Sequence, residues 1–171
     1  MFTPKKIDNT EAELLSKLCT ETYMQAYEGV HEQHDMDSYC RNHYGISSIE
    51  SLLSASDTEV VVAYQGAELA GFYVIKHHPC PVVLTGQSTE LKQIYVLSEY
   101  FGNGLGHELF NSAVNHAQNN NSKWLWLCVS DINYRAKAFY EKTGFSKVGQ
   151  GPDLIIGKDT LSSSIMALCV R

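Results

Sequence analysis

The sequence has little that would punctuate it. Its prolines number four in 171 residues, and no stretch is rich in Pro, Gly and Ser, so no linker is marked. Repeats and low-complexity tracts are missing too. A single folded unit over residues 1–171 is the expectation. No apolar run approaches the roughly 18 residues of a membrane helix. The opening MFTPKKIDNTEAELL carries two lysines but no apolar segment behind them, so no secretory leader is expected. The five cysteines, Cys19, Cys40, Cys80, Cys128 and Cys169, are odd in number, widely spaced and free of any C-x-x-C. A disulfide framework and a zinc ribbon both fail on that pattern, and a reducing, cytoplasmic setting is expected.

Positive charge is also scarce. The net charge of −6 argues against a nucleic-acid binder, which shows a basic patch. The acids are concentrated: between Asp8 and Glu59 the only bases are Lys17 and Arg41. Either the two halves face ligands of opposite charge, or the acidic half is a solvated helical face. His31-x-x-His34-Asp35 has a metal-like spacing but no cysteine partner and no second cluster, so no metal is expected. What is present is a globular composition, 44% hydrophobic and 19% charged.

Periodicity divides the chain. Phe2 to Ile7 reads as a short strand, and Asn9 or Thr10 as the N-cap of a helix whose stripe runs through Leu14, Leu15, Leu18, Thr22 and Met24 to about Tyr27. Asp35 or Asp37 caps a second helix to Tyr44, and Ser47 or Ser48 starts a third. Glu59 to Tyr64 and Leu69 to Lys76 form a hairpin about Gln65-Gly66. Val82 to Thr85 and Leu91 to Val96 are further strand pieces. A helix from Gly104 to Gln118, a buried-type strand at Lys123–Val129, a helix from Asn133 to Thr143 stopped by Gly144, and strands at Phe145–Gln150 and Ser163–Val170 complete a mixed α/β order.

The chemistry-bearing segment follows Tyr95-Val96-Leu97. Here Gly102-Asn103-Gly104-Leu105-Gly106 links a strand to a helix with apolar residues at Leu105, Leu109 and Phe110. Alternating glycines let the backbone close around a ligand, and the helix N-terminus offers free N–H groups and a positive dipole end, a site suited to pyrophosphate. The P-loop pattern fails because His107 follows Gly106, and the dinucleotide pattern fails because the third glycine comes one residue early. The alternative reading of the turn is a plain tight connection with no ligand.

A second motif, Asn133-Tyr134-Arg135-Ala136-Lys137-Ala138-Phe139-Tyr140-Glu141-Lys142-Thr143-Gly144-Phe145, follows the KWLWLCV strand. The pairing of the G-x-G-x-G turn with an N-x-x-A-x-x-F-Y-x-x-x-G-F helix resembles the GNAT superfamily of acetyl-CoA-dependent N-acetyltransferases. Through Leu91–Val96 and Gly157-x-Asp159 to Ile165-Met166 it looks most like the polyamine (spermidine/spermine) type. The resemblance implies an α/β fold with a mixed, mostly antiparallel sheet flanked by helices and a splayed pair of parallel strands holding CoA. It implies that Ile94, Tyr95 and Val96 pair with the pantetheine arm. It also implies that Phe101, Gly102, Asn103, Gly104, Leu105 and Gly106 wrap the pyrophosphate, that Asn133 and Ala136 contact the cofactor, and that Tyr140 protonates the leaving thiolate. The acceptor wall would include Tyr27, Glu28 and Gln93. Acetyl-CoA is then the co-substrate and a small-molecule amine the partner, with no membrane, no nucleic acid and no metal; members of the superfamily often form homodimers.

The reaction asks for the same residue types. An amine attacking a thioester must be neutral, and a base must take its proton; Glu90, leading into the site, is the candidate. The oxyanion needs a donor such as the Val96 N–H. No covalent intermediate is required, so Cys128 reads as a core residue. One departure stands out: the superfamily usually has Arg or Gln where this chain has Phe101, which predicts weaker CoA binding unless Arg135, Lys137 or Lys142 compensates. Acetylation of a protein N-terminus, an amino acid or an aminoglycoside, and a non-catalytic acyl-CoA sensor, stay open as alternatives.

Overall fold

A computed structural model describes residues 2–171. The chain runs β1 (Thr3–Lys6), α1 (Ala12–Tyr27), α2 (Gln33–Tyr44), α3 (Ile46–Ser54), β2 (Thr58–Gln65), β3 (Glu68–Lys76), β4 (Ser88–Val96), α4 (Leu105–Asn119), β5 (Trp124–Ser130), α5 (Tyr134–Lys142), β6 (Ser146–Gln150), β7 (Leu154–Ile156), β8 (Asp159–Leu161) and β9 (Ser163–Cys169). Seven strands form one sheet in the order β1-β2-β3-β4-β5-β9-β6, and β7 and β8 form a separate hairpin. All neighbours are antiparallel except β4 and β5. Among the described residues no helix is long and apolar enough to cross a membrane.

Helices cover both faces. On one, Leu105, Leu109, Phe110 and Ala113 of α4 and Tyr140 of α5 pack on Tyr73, Leu91, Leu125, Leu127 and Val129. On the other, Leu15, Leu18 and Tyr23 of α1, with Met36, Cys40 and Ile49 of α2 and α3, cover Val60, Val62, Phe72 and Val74. The alternation along each strand sends successive side chains to opposite faces, so one sheet serves two cores.

The parallel pair is short. Only Ser88↔Trp124, Thr89↔Leu125 and Glu90↔Trp126 are in register. Beyond Glu90, β4 stays paired to β3 as far as Val96, while β5 stays paired to β9 as far as Ser130. The two strands therefore part, and the sheet is open between them. A register shift against Val74 and Ile75 leaves Lys92 as an extra residue in β4, and a bulge of this kind bends a strand away from its neighbour.

Several expected elements differ. Val82 to Thr85 is loop, not strand. Pro79 and Pro81 remove ladder donors there, and Val83 is 98% exposed while Val82 and Leu84 pack on Trp126 and Ile165. The apolar residues cover a sheet face instead of pairing with it. The first cap is Asp8, which accepts the Thr10 N–H at 2.9 Å and starts a 3-10 turn ahead of α1; neither Asn9 nor Thr10 fills that place. α2 begins at Gln33 and α3 at Ile46, each without a side-chain cap, so Asp35, Ser47 and Ser48 lie inside helices. The chain also ends in four strands instead of two, because β7 and β8 turn back at Gly157 (φ +58°).

Candidate functional site

The glycine turn is shaped by backbone conformation. Gly102 and Gly104 have φ of +81° and +87°, and a Cβ at either would meet no atom within 4 Å. They are needed for the left-handed turn, and open space lies beside them. Gly104 is also the N-cap residue of α4 and has no side chain to offer. The first bond into the helix runs from the Glu108 N–H to the Gly104 carbonyl at 3.1 Å. Among the described residues, the N–H groups of Gly102, Gly104, Leu105, Gly106 and His107 donate to no backbone or capping acceptor. Five free donors at the positive end of a 15-residue helix fit a pyrophosphate.

The strand opening fits an extended amide-bearing arm. Leu97 donates to the Ala70 carbonyl at 2.9 Å, which fixes the phase of β4 against β3. Antiparallel alternation then turns the backbone groups of Tyr95 and Gln93 toward β3 and those of Ile94 and Val96 into the opening. Ile94 and Val96 thus have free backbone groups where an arm would lie. Tyr95 does not: its backbone is used by Phe72 on β3, which corrects the expectation that all three residues present theirs. The Tyr95 side chain lies on the α1–α2 face, stacked on Phe72 with centroids 5.8 Å apart.

The opening also lets residues from opposite faces meet. Tyr27 ends α1 on one face; Asn133 and Tyr140 belong to the start and body of α5 on the other. Burial pushes the Tyr27 phenol up, opposed by the side chains of Asn133 and Tyr95 next to its hydroxyl. Burial first, and then Tyr27, pushes the Tyr140 phenol well above its ordinary range. Asn133 Oδ1 accepts the Ala136 N–H at 3.1 Å as the α5 cap, which leaves its NH2 for Tyr27. Ala136 packs against the α4–α5 core. Gly144 closes α5 at φ +99°, and Phe145 packs against Tyr140 at 5.5 Å.

Glu90 is the last residue of the short parallel seam and is 7% exposed. Its carboxylate is bonded to His78 Nε2, and the His78 carbonyl accepts from the Trp126 indole at 3.3 Å. His78 escaped the sequence reading because it lies in an irregular loop, twelve residues from its partner. Gln93 Nε2 donates to the Tyr44 hydroxyl at 3.1 Å, on the same face as Tyr95. Glu28 stands exposed at the C-cap of α1.

Around Tyr27 an aromatic wall has formed. Tyr23 stacks on Tyr39 at 4.6 Å and lies 4.8 Å from Tyr27; Tyr39 lies 4.1 Å from His43. His31, with its side chain 1% exposed, is bonded through Nδ1 to Asp159 of the β7–β8 hairpin at 2.9 Å, so it does not converge with exposed His34. Its Nε2 and the Tyr23 hydroxyl are buried without partners. The His31–Asp159 pair was not legible beforehand, since the two residues are 128 positions apart in sequence.

At the phosphate end, Phe101 is exposed, and the Arg135 guanidinium lies 3.7 Å over its ring. A cation therefore stands at the position where the expected side chain is missing. Lys137 is tied to Asp131 at 3.3 Å. Cys128 is half-buried, its Sγ 3.2 Å from Ser163 Oγ, and is not a core residue.

A sheet split at one parallel seam, with a donor-lined glycine turn at its mouth, defines the class of fold that seats coenzyme A between two strands. The chain belongs to the acetyltransferase (GNAT) family, whose model matches residues 17–145 and whose members use acetyl-CoA. It is 34% identical over 93 residues to a mycothiol acetyltransferase of Corynebacterium glutamicum, a match covering 53% of this chain and 29% of that protein's length. It is 29% identical over 118 residues to an uncharacterized N-acetyltransferase of Archaeoglobus fulgidus, covering 69% of this chain and 78% of the other. In fold it is similar to the PaiA N-acetyltransferase of Thermoplasma acidophilum in complex with coenzyme A, with a TM-score of 0.81, 20% identity and 99% of each chain covered.

Proposed function

We propose that this chain is an N-acetyltransferase that passes the acetyl group of acetyl-CoA directly to a primary amine of a small molecule, with a polyamine as the first choice of acceptor. The observation that carries the reading is the opening between β4 and β5, lined by the free backbone groups of Ile94 and Val96 and ending at the unpaired donors of the glycine turn. Acetyl-CoA supplies the acyl group as an activated thioester.

The chain's own residues account for the rest. The Val96 N–H, turned into the opening, is the donor for the oxyanion. The amides from Gly102 to His107 and the α4 dipole hold the pyrophosphate, with Arg135 replacing the charge that Phe101 lacks. As the N–C bond forms and the C–S bond breaks, one proton leaves the amine and another reaches the thiolate. Glu90, backed by His78, takes the first, directly or through water. Tyr140 gives the second and recovers it from solvent. Burial raises the Tyr140 phenol, so it keeps its proton through neutral and mildly alkaline pH.

The acceptor wall favours a cation. Tyr27 and Tyr39 are partly exposed on either side of buried Tyr23, and an ammonium over a tyrosine face gains about 0.5–2 kcal/mol. The acidic stretch from Asp8 to Glu59 adds an attractive field, with Glu28 at its exposed rim.

The test is thiol release from acetyl-CoA against a panel of spermidine, spermine, an aminoglycoside, free amino acids and a peptide N-terminus, beside calorimetric CoA binding. Turnover on a polyamine supports the whole reading. Turnover confined to another amine removes the polyamine and keeps the reaction. CoA binding without turnover on any amine favours an acyl-CoA sensor. Failure to bind CoA refutes the assignment.

A further inference from the structure

We propose that Glu59, His77 and His116 form a binding site for a divalent transition-metal ion of the zinc class, separate from the acyl-transfer site. The three residues come from different elements: Glu59 from the start of β2, His77 from the residue after β3, and His116 from the last turn of α4. His77 Nε2 lies 3.0 Å and His116 Nε2 3.1 Å from Glu59 Oε1. One ligand atom from each residue falls within 4.8 Å of the other two. An ion with bonds of about 2.0–2.1 Å in tetrahedral geometry holds its donors about 3.3–3.4 Å apart. Two of the three edges are already within a few tenths of an ångström of that spacing, and the third, between the two imidazoles, is no longer than 4.8 Å.

One of the two rings also has an outer hydrogen-bond partner of the kind that orients a metal-bound histidine. His116 Nδ1 is 3.4 Å from the Tyr73 hydroxyl, which is itself 3.0 Å from Ser112 Oγ. A proton on Nδ1 pointing to Tyr73 turns the Nε2 lone pair toward Glu59, the arrangement that orients histidine ligands of metals. Two rings aimed at one carboxylate oxygen need two N–H donors there; an ion between them uses two lone pairs instead. Lys6 binds the other carboxylate oxygen, Oε2, at 2.5 Å, which leaves Oε1 for the ion. The fourth position opens on a cleft of about 440 Å³ lined by Ser112, Asn115, Asn119 and Asn120, with room for water. Two imidazoles and one carboxylate select zinc, cobalt, nickel or copper over magnesium and calcium.

The site lies away from the proposed chemistry. Eleven residues of α4, about 16 Å at the helical rise, separate His116 from Leu105. Metal there would join β2, β3 and α4, so binding would be linked to folding and not to acyl transfer.

Calorimetric titration of the chelator-treated full chain with zinc chloride at pH 7.5 tests the proposal, with thermal melting recorded beside it. One equivalent of Zn2+ is expected, with a raised melting temperature. His77→Asn, in a loop where the fold is least disturbed, and His116→Ala should each weaken binding at least about tenfold. His34→Ala, at an exposed residue on the other side of the sheet, should leave it unchanged. Absence of saturable one-to-one binding, or an affinity unaltered in His77→Asn and His116→Ala with native circular dichroism, overturns the site.

Discussion

Gly106→Ala separates what the fold needs at the glycine turn from what a ligand needs. Gly106 is the second residue of α4, has no positive φ, and a Cβ there would meet only the Phe139 ring at 3.8 Å, an ordinary contact. In the free protein the substitution therefore costs nothing sterically. Alanine in place of a helical glycine stabilises by about 0.5–1 kcal/mol, which for a chain of this length raises the melting temperature by about 1–4 °C. The same methyl group stands beside an N–H with no partner, where a phosphate oxygen would approach. CoA affinity should fall about tenfold or more, or 1.4 kcal/mol. Thermal melts without ligand and calorimetry with CoA measure the two effects on one sample. Gly104→Ala is the contrast: its φ of +87° costs a side chain about 1–2 kcal/mol, so it should melt lower although nothing crowds it. A Gly106→Ala protein that melts higher and binds CoA unchanged would refute the reasoning and reduce the turn to a tight connection.

Three further outcomes are expected. Tyr140→Phe should lower kcat by about 10²–10⁴ with CoA affinity retained. Because burial holds the Tyr140 pKa above 10, the wild-type pH–rate profile should show no alkaline fall from this group below pH 10; such a fall, lost in the variant, would contradict the buried setting. Arg135→Ala should weaken CoA binding about tenfold at low ionic strength and less at high salt, where screening shortens the reach of the charge. A loss independent of salt would point to lost packing on Phe101 instead. Gly157→Ala should destabilise the protein, since its Cβ would fall 2.1 Å from Asp35 Cγ at a φ of +58°. Adding Asp35→Ala should recover all but about 1–2 kcal/mol in denaturant melts; no recovery would remove Asp35 as the obstacle.

The elements that were legible in the sequence are those whose signals are local. The glycine turn, the helix after it and the Asn133-to-Gly144 segment each carry their own cap or stop, and the structure forms α4 and α5 within a residue or two of the expected bounds. Val82 to Thr85 misled because apolar residues that cover a sheet face read like residues within a strand. The β7–β8 hairpin was missed because its strands are three residues each, too short to show a period. The orientation of the Tyr95 backbone is set by the phase of β4 against β3, fixed at the Leu97 bond to Ala70, which no spacing reveals. Asn133 near Tyr27, His78 on Glu90 and His31 on Asp159 are meetings of distant segments, decided by where the sheet opens and where the last hairpin docks.

The three-residue seam between β4 and β5 also bears on cooperativity. In backbone hydrogen bonding, the seven strands are two half-sheets, β1–β4 and β5–β9–β6, joined at one short zipper and otherwise through side-chain packing under α4. A molecule lying along the free edges of Ile94 and Val96 would supply the missing rungs. Amides bordering the opening should then exchange with solvent by local separation of the halves in the free protein, and only by global unfolding once that gap is bridged.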